Sequence, residues 1–204
     1  MKRFSDLVVY IVDDDSAVLD SLQLLLEGER FPVRTYESCQ AFLEQYDPHA
    51  GGCLVLDIGM PGMTGLELQK ALQQKGKLIP IVFITGHANV PQAVQAFKNG
   101  AVDFIEKPFS HSALLEAIER ALKMSYEQLS EQDKKSQVSE RLDQLTKRER
   151  QVLDAIVSGK ANKVIAHELG ISQRTVEIHR ANVMQKMHVR SLAELVQKTV
   201  TVAD

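Results

Sequence analysis

Cys53-Leu54-Val55-Leu56-Asp57 is a short apolar run that ends on a carboxylate. Gly51 and Gly52 precede it and Gly59, Pro61 and Gly62 follow, so it reads as a buried strand of a parallel sheet. Asp57 then stands at the strand's carboxyl end, the edge where ligands and chemistry gather in open α/β sheets. Four more runs fit the same frame: Val8–Val12, ending in Asp13-Asp14-Asp15; Val33–Tyr36; residues 80–84, ending on Thr85; and residues 102–105, followed by Lys107-Pro108. Helical patterns fall between them. Ser16 is placed to cap a helix carrying Val18, Leu22, Leu25 and Leu26 and closed by Gly28. A short helix covers 38–46, Thr64 and Glu67 form a capping box, Pro91 opens a helix closed by Gly100, and Ser110 starts one carrying Leu114, Leu115, Ile118 and Leu122. Five strands alternating with five helices predict an α/β fold, a doubly wound five-stranded parallel sheet.

The carboxyl edge of that sheet gathers Asp13, Asp14, Asp57, Thr85 and Lys107. Carboxylates forced together repel one another unless a cation neutralises them, and hard oxygen ligands suit Mg²⁺. Asp57 is then a nucleophile towards phosphorus, with a metal and Lys107 to spread charge and Thr85 to donate a hydrogen bond. Each residue alone has a plainer reading: an acid after a strand as a turn or helix cap, Thr85 as a strand end, Lys107 as a solvated charge. The set points to chemistry because four separate strand ends each supply a residue type that an aspartyl phosphate requires. Gly59, Gly62 and Gly65 fit neither G-x-G-x-x-G nor a P-loop and read as turn glycines.

Across 204 residues the formal charge is −3, but it is unevenly spread. Residues 1–125 carry 11 Lys/Arg against 16 Asp/Glu, 126–144 carry 3 against 5, and 145–204 carry 10 against 6. An acidic first part joined to a basic last part predicts two domains, the second facing a polyanion. Cys39 and Cys53 are too few for a disulfide framework and show no metal spacing, so both read as small core residues. No apolar run approaches a membrane span and the start, Met1 to Phe4, leads into no signal peptide, so a cytoplasmic protein without a membrane partner is expected.

In the last part, Thr146 and Glu149 form a second capping box and Gly159 ends the helix. A short helix follows with Val164, Ile165, Ala166 and Leu169. Gly170-Ile171-Ser172 then makes a tight turn in which Gly170 takes the left-handed conformation and Ser172 caps a helix over 173–187. This is the pattern of a helix-turn-helix. Val176, Val183 and Met187 face inward; Arg174, Glu177, Ile178, Ala181 and Gln185 face out. In a major groove Glu177 would accept from a cytosine amine and Ile178 would touch a thymine methyl, while Lys163, Arg174, Arg180, Asn182 and Lys186 suit phosphates. Residues 124–144 lack Gly and Pro and predict a helical, partly solvated connector, against the alternative of a charged disordered linker.

Two stretches resemble known families. Val12-Asp-Asp-Asp, Leu56-Asp-Ile-Gly-Met-Pro-Gly-Met-Thr-Gly, Ile84-Thr-Gly-His and Glu106-Lys-Pro-Phe resemble the receiver domain of two-component response regulators. The resemblance implies that Asp57 accepts a phosphoryl group from a histidine kinase, and that Asp13, Asp14 and Asp57 hold Mg²⁺ with the Gly59 carbonyl. It also implies that Thr85 and Lys107 contact phosphoryl oxygens, that Phe104 is the aromatic switch, and that Lys107-Pro108 is cis. Leu145-Thr-Lys-Arg-Glu-Arg-Gln-Val-Leu, Leu169-Gly-Ile-Ser and Thr175-Val-Glu-Ile-His-Arg-Ala-Asn-Val-Met resemble the LuxR-type helix-turn-helix, and the combination is similar to FixJ-type members of the NarL/FixJ regulators. Glu177 departs from the lysine that many relatives place there. The expected domains are a receiver at 1–123, a helical linker at 124–144 and a small all-α DNA-binding domain at 145–204. The implied protein is not an enzyme but a regulator that forms a homodimer on phosphorylation and binds double-stranded DNA. The last helix, with Leu192, Leu195, Val196 and Thr199, resembles the segment through which such domains pair. An Asp-nucleophile phosphohydrolase, or a regulator acting through a protein partner, are the alternatives.

Overall fold

The computed structural model describes residues 6–76, 79–86 and 89–203, with side chains to residue 199; Met1 to Phe4 and His87, quoted above, lie outside it. Its elements run β1 (Val8–Val12), α1 (Ser16–Gly28), β2 (Val33–Tyr36), α2 (Cys39–Gln45), β3 (Gly52–Asp57), α3 (Gly65–Gln74), β4 (Ile81–Thr85), α4 (Val90–Lys98), β5 (Asp103–Glu106), α5 (His111–Asp143), α6 (Lys147–Val157), α7 (Asn162–Leu169), α8 (Gln173–Lys186) and α9 (Leu192–Ala203). Residues 1–130 and 131–204 form two compact units. The division falls inside the expected connector 124–144, and α5 contributes to both units. Among the described residues no helix is long and apolar enough to cross a membrane.

In the first unit the five strands are all parallel, in the order β2-β1-β3-β4-β5. Every residue of β3 is buried, which explains why it shows no alternation in sequence. The alternation reappears in where the side chains go. Leu54 and Leu56 join Tyr10, Val12 and Phe83 on one face, under α2, α3 and Ala96 of α4; Cys53 and Val55 join Val9, Ile11, Val82 and Ile84 on the other, under α1 and α5. Each such fully buried aliphatic side chain stabilises the fold by roughly 1.5–3 kcal/mol. Burial pushes the Cys39 thiol up to about 11 and the Cys53 thiol higher still, so both stay protonated core groups.

Local signals place the helix starts. Thr64 and Glu67 make the capping box reciprocally: the Glu67 N–H donates to Thr64 Oγ1 and the Thr64 N–H to Glu67 Oε2. The first helix differs from expectation. Asp15, not Ser16, is its N-cap, with Oδ1 accepting the Ala17 N–H at 2.9 Å, because a carboxylate one position earlier reaches the free N–H groups. Of the three glycines after β3, only Gly62 has a positive φ, 79°. Gly65 is required by close approach: a Cβ there would lie 2.2 Å from the Asp57 carbonyl oxygen. The loop thus returns tightly on the strand end and holds Asp57 from behind.

The second unit is all helical. Val152, Leu153 and Ile156 of α6, Ile165 and Ala166 of α7, and Val176, Val183 and Met187 around α8 form one core with Val138 of α5 and Leu195 of α9. Leu195 is therefore fully committed to its own unit, whereas Leu192 is 45% exposed. Gly170 adopts the left-handed conformation at φ 66°, ψ 35°, and Ser172 Oγ accepts the Thr175 N–H at 3.0 Å, so α7 and α8 meet through the expected turn.

Candidate functional site

The strand order makes β1 and β3 neighbours, and from that point the chain winds outward in both directions. A crevice outside the carboxyl ends opens at such a switch point. Asp13 follows β1 and Asp57 ends β3, so the topology alone places two acids on its two sides. Both are buried, at 2% and 8% exposure. Lys107, one residue past β5, reaches across: its Nζ donates to Asp13 Oδ2 at 2.7 Å and to Asp57 Oδ1 at 3.1 Å. The remaining oxygens are also held, Asp13 Oδ1 by the Asp15 N–H at 3.0 Å and Asp57 Oδ2 by the Gly59 N–H at 2.6 Å. Burial by itself would lower the Lys107 pKa, but the hydrogen bonds and charges of Asp13 and Asp57 outweigh it and hold the ammonium above its ordinary value.

Sequence reasoning expected a divalent cation to relieve the crowded acids, and here a protein ammonium does that for two of them. Asp14 is exposed, and among the described residues no three His, Cys, Asp or Glu side chains draw together as a metal cluster. The donor set nonetheless fits Mg²⁺, since Asp13 and Asp57 already turn hard carboxylate oxygens to one cation and Asp14 stands at the adjacent surface. Thr85 ends β4, is 4% exposed, and its carbonyl accepts the Lys107 N–H at 2.8 Å, which ties the β4 end to the lysine. Phe104 is half-buried on β5 opposite Phe83, their ring centroids 6.4 Å apart. The Lys107-Pro108 peptide bond is cis, as the resemblance implied. Asp13, Asp57, Thr85 and Lys107 are thus brought to one edge, with Asp14 and Gly59 exposed at its surface and Phe104 one strand away.

In the second unit, Arg174, Glu177, Ile178, Ala181 and Gln185 are exposed on α8, and Ile178 leaves 54% of its surface open. Lys163 of α7 is exposed too, while Arg180 and Asn182 are half-buried. Lys186 does more than expected. Its Nζ donates to Glu149 Oε2 at 2.7 Å and to the Gln144 carbonyl at 3.2 Å, so this half-buried cation also braces α8 against α6. Glu149 is itself buried at 4%, and Lys186 together with the Thr146 N–H holds its carboxyl down at about 2. Sequence spacing gave no sign of this pair, because the two residues lie on different helices and meet only once those helices pack.

Residues 9–119 match the response regulator receiver domain, and residues 143–199 match the luxR family of bacterial regulatory proteins. The chain belongs to the FixJ-type response regulators. This regulator is 49% identical to the transcriptional regulatory protein FixJ of Azorhizobium caulinodans, over 94% of its own length and 90% of that protein's. It is 45% identical to the response regulator protein TodT of Pseudomonas putida, over 97% of its length and 87% of TodT's. Among solved structures it is similar to the response regulator StyR, with a TM-score of 0.87 at 46% identity over 95% and 98% of the two chains. It is also similar to full-length FixJ from B. japonicum, with a TM-score of 0.57 at 41% identity over 96% and 97%. The chain is accordingly a phosphorylation-dependent transcription regulator, with a receiver in its first unit and a LuxR-type DNA-binding domain in its second.

Proposed function

We propose that Asp57 is the phosphoryl acceptor of this regulator and that its phosphorylation pairs two copies on DNA. The observation that carries the reading is the Lys107 ammonium held between the buried Asp13 and Asp57 at the sheet's switch point. An Asp57 carboxylate oxygen attacks the phosphorus of a kinase phosphohistidine; the new O–P bond forms as the N–P bond breaks, and the imidazole leaves with the electron pair. Lys107 neutralises the equatorial oxygens, and the Thr85 hydroxyl donates to one of them. Asp13, Asp14, Asp57 and the Gly59 carbonyl would hold Mg²⁺, whose positive charge supplies further stabilisation of the transferring group.

The product is a dianion where a monoanion stood, and Thr85 and Phe104 are the residues that register it. Thr85 turns inward to the phosphoryl group and Phe104 follows, changing the face formed by α4, β5 and α5, through which two receivers pair. Two copies then present two α8 helices to half-sites about 10 base pairs apart. On each, Glu177, Ile178 and Ala181 face base edges while Lys163, Arg174, Arg180 and Asn182 face the backbone.

The test is Asp57→Asn. Acetyl phosphate should label the parent stoichiometrically, shift it to a dimer by light scattering and tighten its DNA binding, whereas the variant should show none of the three. A variant that still dimerises and tightens on DNA with the phosphodonor would remove Asp57 from this role.

A further inference from the structure

A cavity of about 500 Å³ lies within the second unit, walled by Lys134, Lys135, Val138 and Arg141 on the last turns of α5 and by Glu194 and Lys198 on α9. Small-molecule sites commonly have volumes of roughly 300–1,000 Å³. Residues 126–144 are acidic overall, 3 Lys/Arg against 5 Asp/Glu, yet all three of those cations line this one cavity. Helical spacing explains the sorting: 134, 138 and 141 fall on one face, the face that also sends Val138 into the core.

The lone carboxylate on the wall is already spent. Glu194 Oε1 pairs with Lys198 at 2.8 Å and Oε2 accepts the Arg190 N–H at 3.0 Å. Lys134 and Lys135 are exposed and have no ion pair among the described residues. Arg141 and Lys198 are anchored differently. Arg141 Nη1 donates to the Met187 carbonyl at 3.3 Å and Lys198 Nζ to the His188 carbonyl at 3.3 Å, just past the carboxyl end of α8. The cavity therefore presents two uncommitted ammonium groups backed by two cations that hold the end of the recognition helix.

We propose that this cavity binds a small anion bearing two or more phosphate groups, with Lys134 and Lys135 as its main contacts. Compact multivalent charge satisfies adjacent ammonium groups better than a single carboxylate does, and the remaining Arg141 N–H groups form the planar donor array that phosphate oxygens accept. The occupant would share Arg141 and Lys198 with the Met187 and His188 carbonyls, so its arrival registers at the foot of α8.

The experiment titrates the full chain with tripolyphosphate, and in a second arm with ATP, by calorimetry at constant ionic strength. In parallel, the amide resonances of His188 and Val189, which follow the two carbonyls, are tracked by NMR. Saturable binding at or below about 1 mM is expected, with both resonances moving along the same isotherm. Lys134→Gln/Lys135→Gln should weaken it about tenfold or more, while Lys163→Gln/Arg174→Gln, on the DNA-facing surface, should leave it within about twofold. No saturable binding, or a loss confined to the Lys163/Arg174 variant, overturns the proposal. So does tighter binding of an octaglutamate peptide than of tripolyphosphate, which would make the occupant an acidic protein segment.

Discussion

Lys107 sets the charge balance of the receiver edge. Removing it leaves two buried carboxylates facing each other with their ammonium gone, and the remaining donors, the Asp15 and Gly59 N–H groups, each satisfy only one oxygen. Lys107→Met should therefore cost about 1–3 kcal/mol in urea unfolding at pH 7 with EDTA present, less than a fully buried pair because the lysine side chain is 24% exposed. The same variant gives an independent reading of the metal. If Asp13, Asp14 and Asp57 are Mg²⁺ ligands, millimolar Mg²⁺ should raise the midpoint of Lys107→Met more than that of the parent, because only the variant lacks another cation between the acids. Equal shifts in both proteins would place the ion elsewhere. In the parent, the stability that Lys107 contributes is fully present at neutral pH and fades only as pH rises through its raised pKa, so the comparison at pH 7 is free of lysine titration.

Helices α6 and α8 are joined by a contact that no local pattern could announce. Glu149 opens α6 in its capping box and Lys186 closes α8, 37 positions later. Because the folded Glu149 titrates near 2 and an unfolded glutamate near 4.5, folding holds the carboxylate ionised. The stability from this pair is therefore present above about pH 4.5 and drains away as pH falls towards 2. Glu149→Gln should lower the stability of the DNA-binding unit by about 1–3 kcal/mol at pH 7, and thermal melts should show parent and variant converging as the pH is lowered through that window. A gap that stays constant with pH would mean that Glu149 acts through packing alone. This contact also marks the limit of what the residues reveal unaided. Capping boxes, the left-handed Gly170 and the five strands are written in neighbouring residues and could be read directly. Strand order could not: only the topology brings Asp13 beside Asp57, and the choice of Asp15 over Ser16 as cap turns on one position. Gly65 looked like a turn glycine because composition does not distinguish a residue that bends the chain from one that lets two backbones touch. Lys186 read only as a phosphate contact for the same reason, since a helix-end cation reveals its partner only when α6 is folded against it.

At the scale of the whole chain, an acidic unit carries the phosphoryl chemistry and a basic unit carries the DNA surface, so phosphorylation adds negative charge to one unit while DNA needs positive charge on the other. A direct electrostatic effect on DNA affinity would be unfavourable, and activation must come from geometry. If it comes from pairing, the gain belongs to the second half-site: once one α8 is seated, its partner binds at an effective concentration set by the link between the copies. Acetyl phosphate should then tighten binding to a duplex carrying two half-sites by about tenfold or more while leaving a duplex with one half-site nearly unchanged. The slope of log affinity against log salt should roughly double on the two-site duplex, because twice as many phosphates are neutralised in one event. Fluorescence anisotropy with the two duplexes, at matched ionic strength and several protein concentrations, separates the outcomes. An equal gain on both duplexes would mean that the phosphoryl group frees a recognition helix already competent alone, and α4, β5 and α5 would then be a surface that opens, not one that pairs.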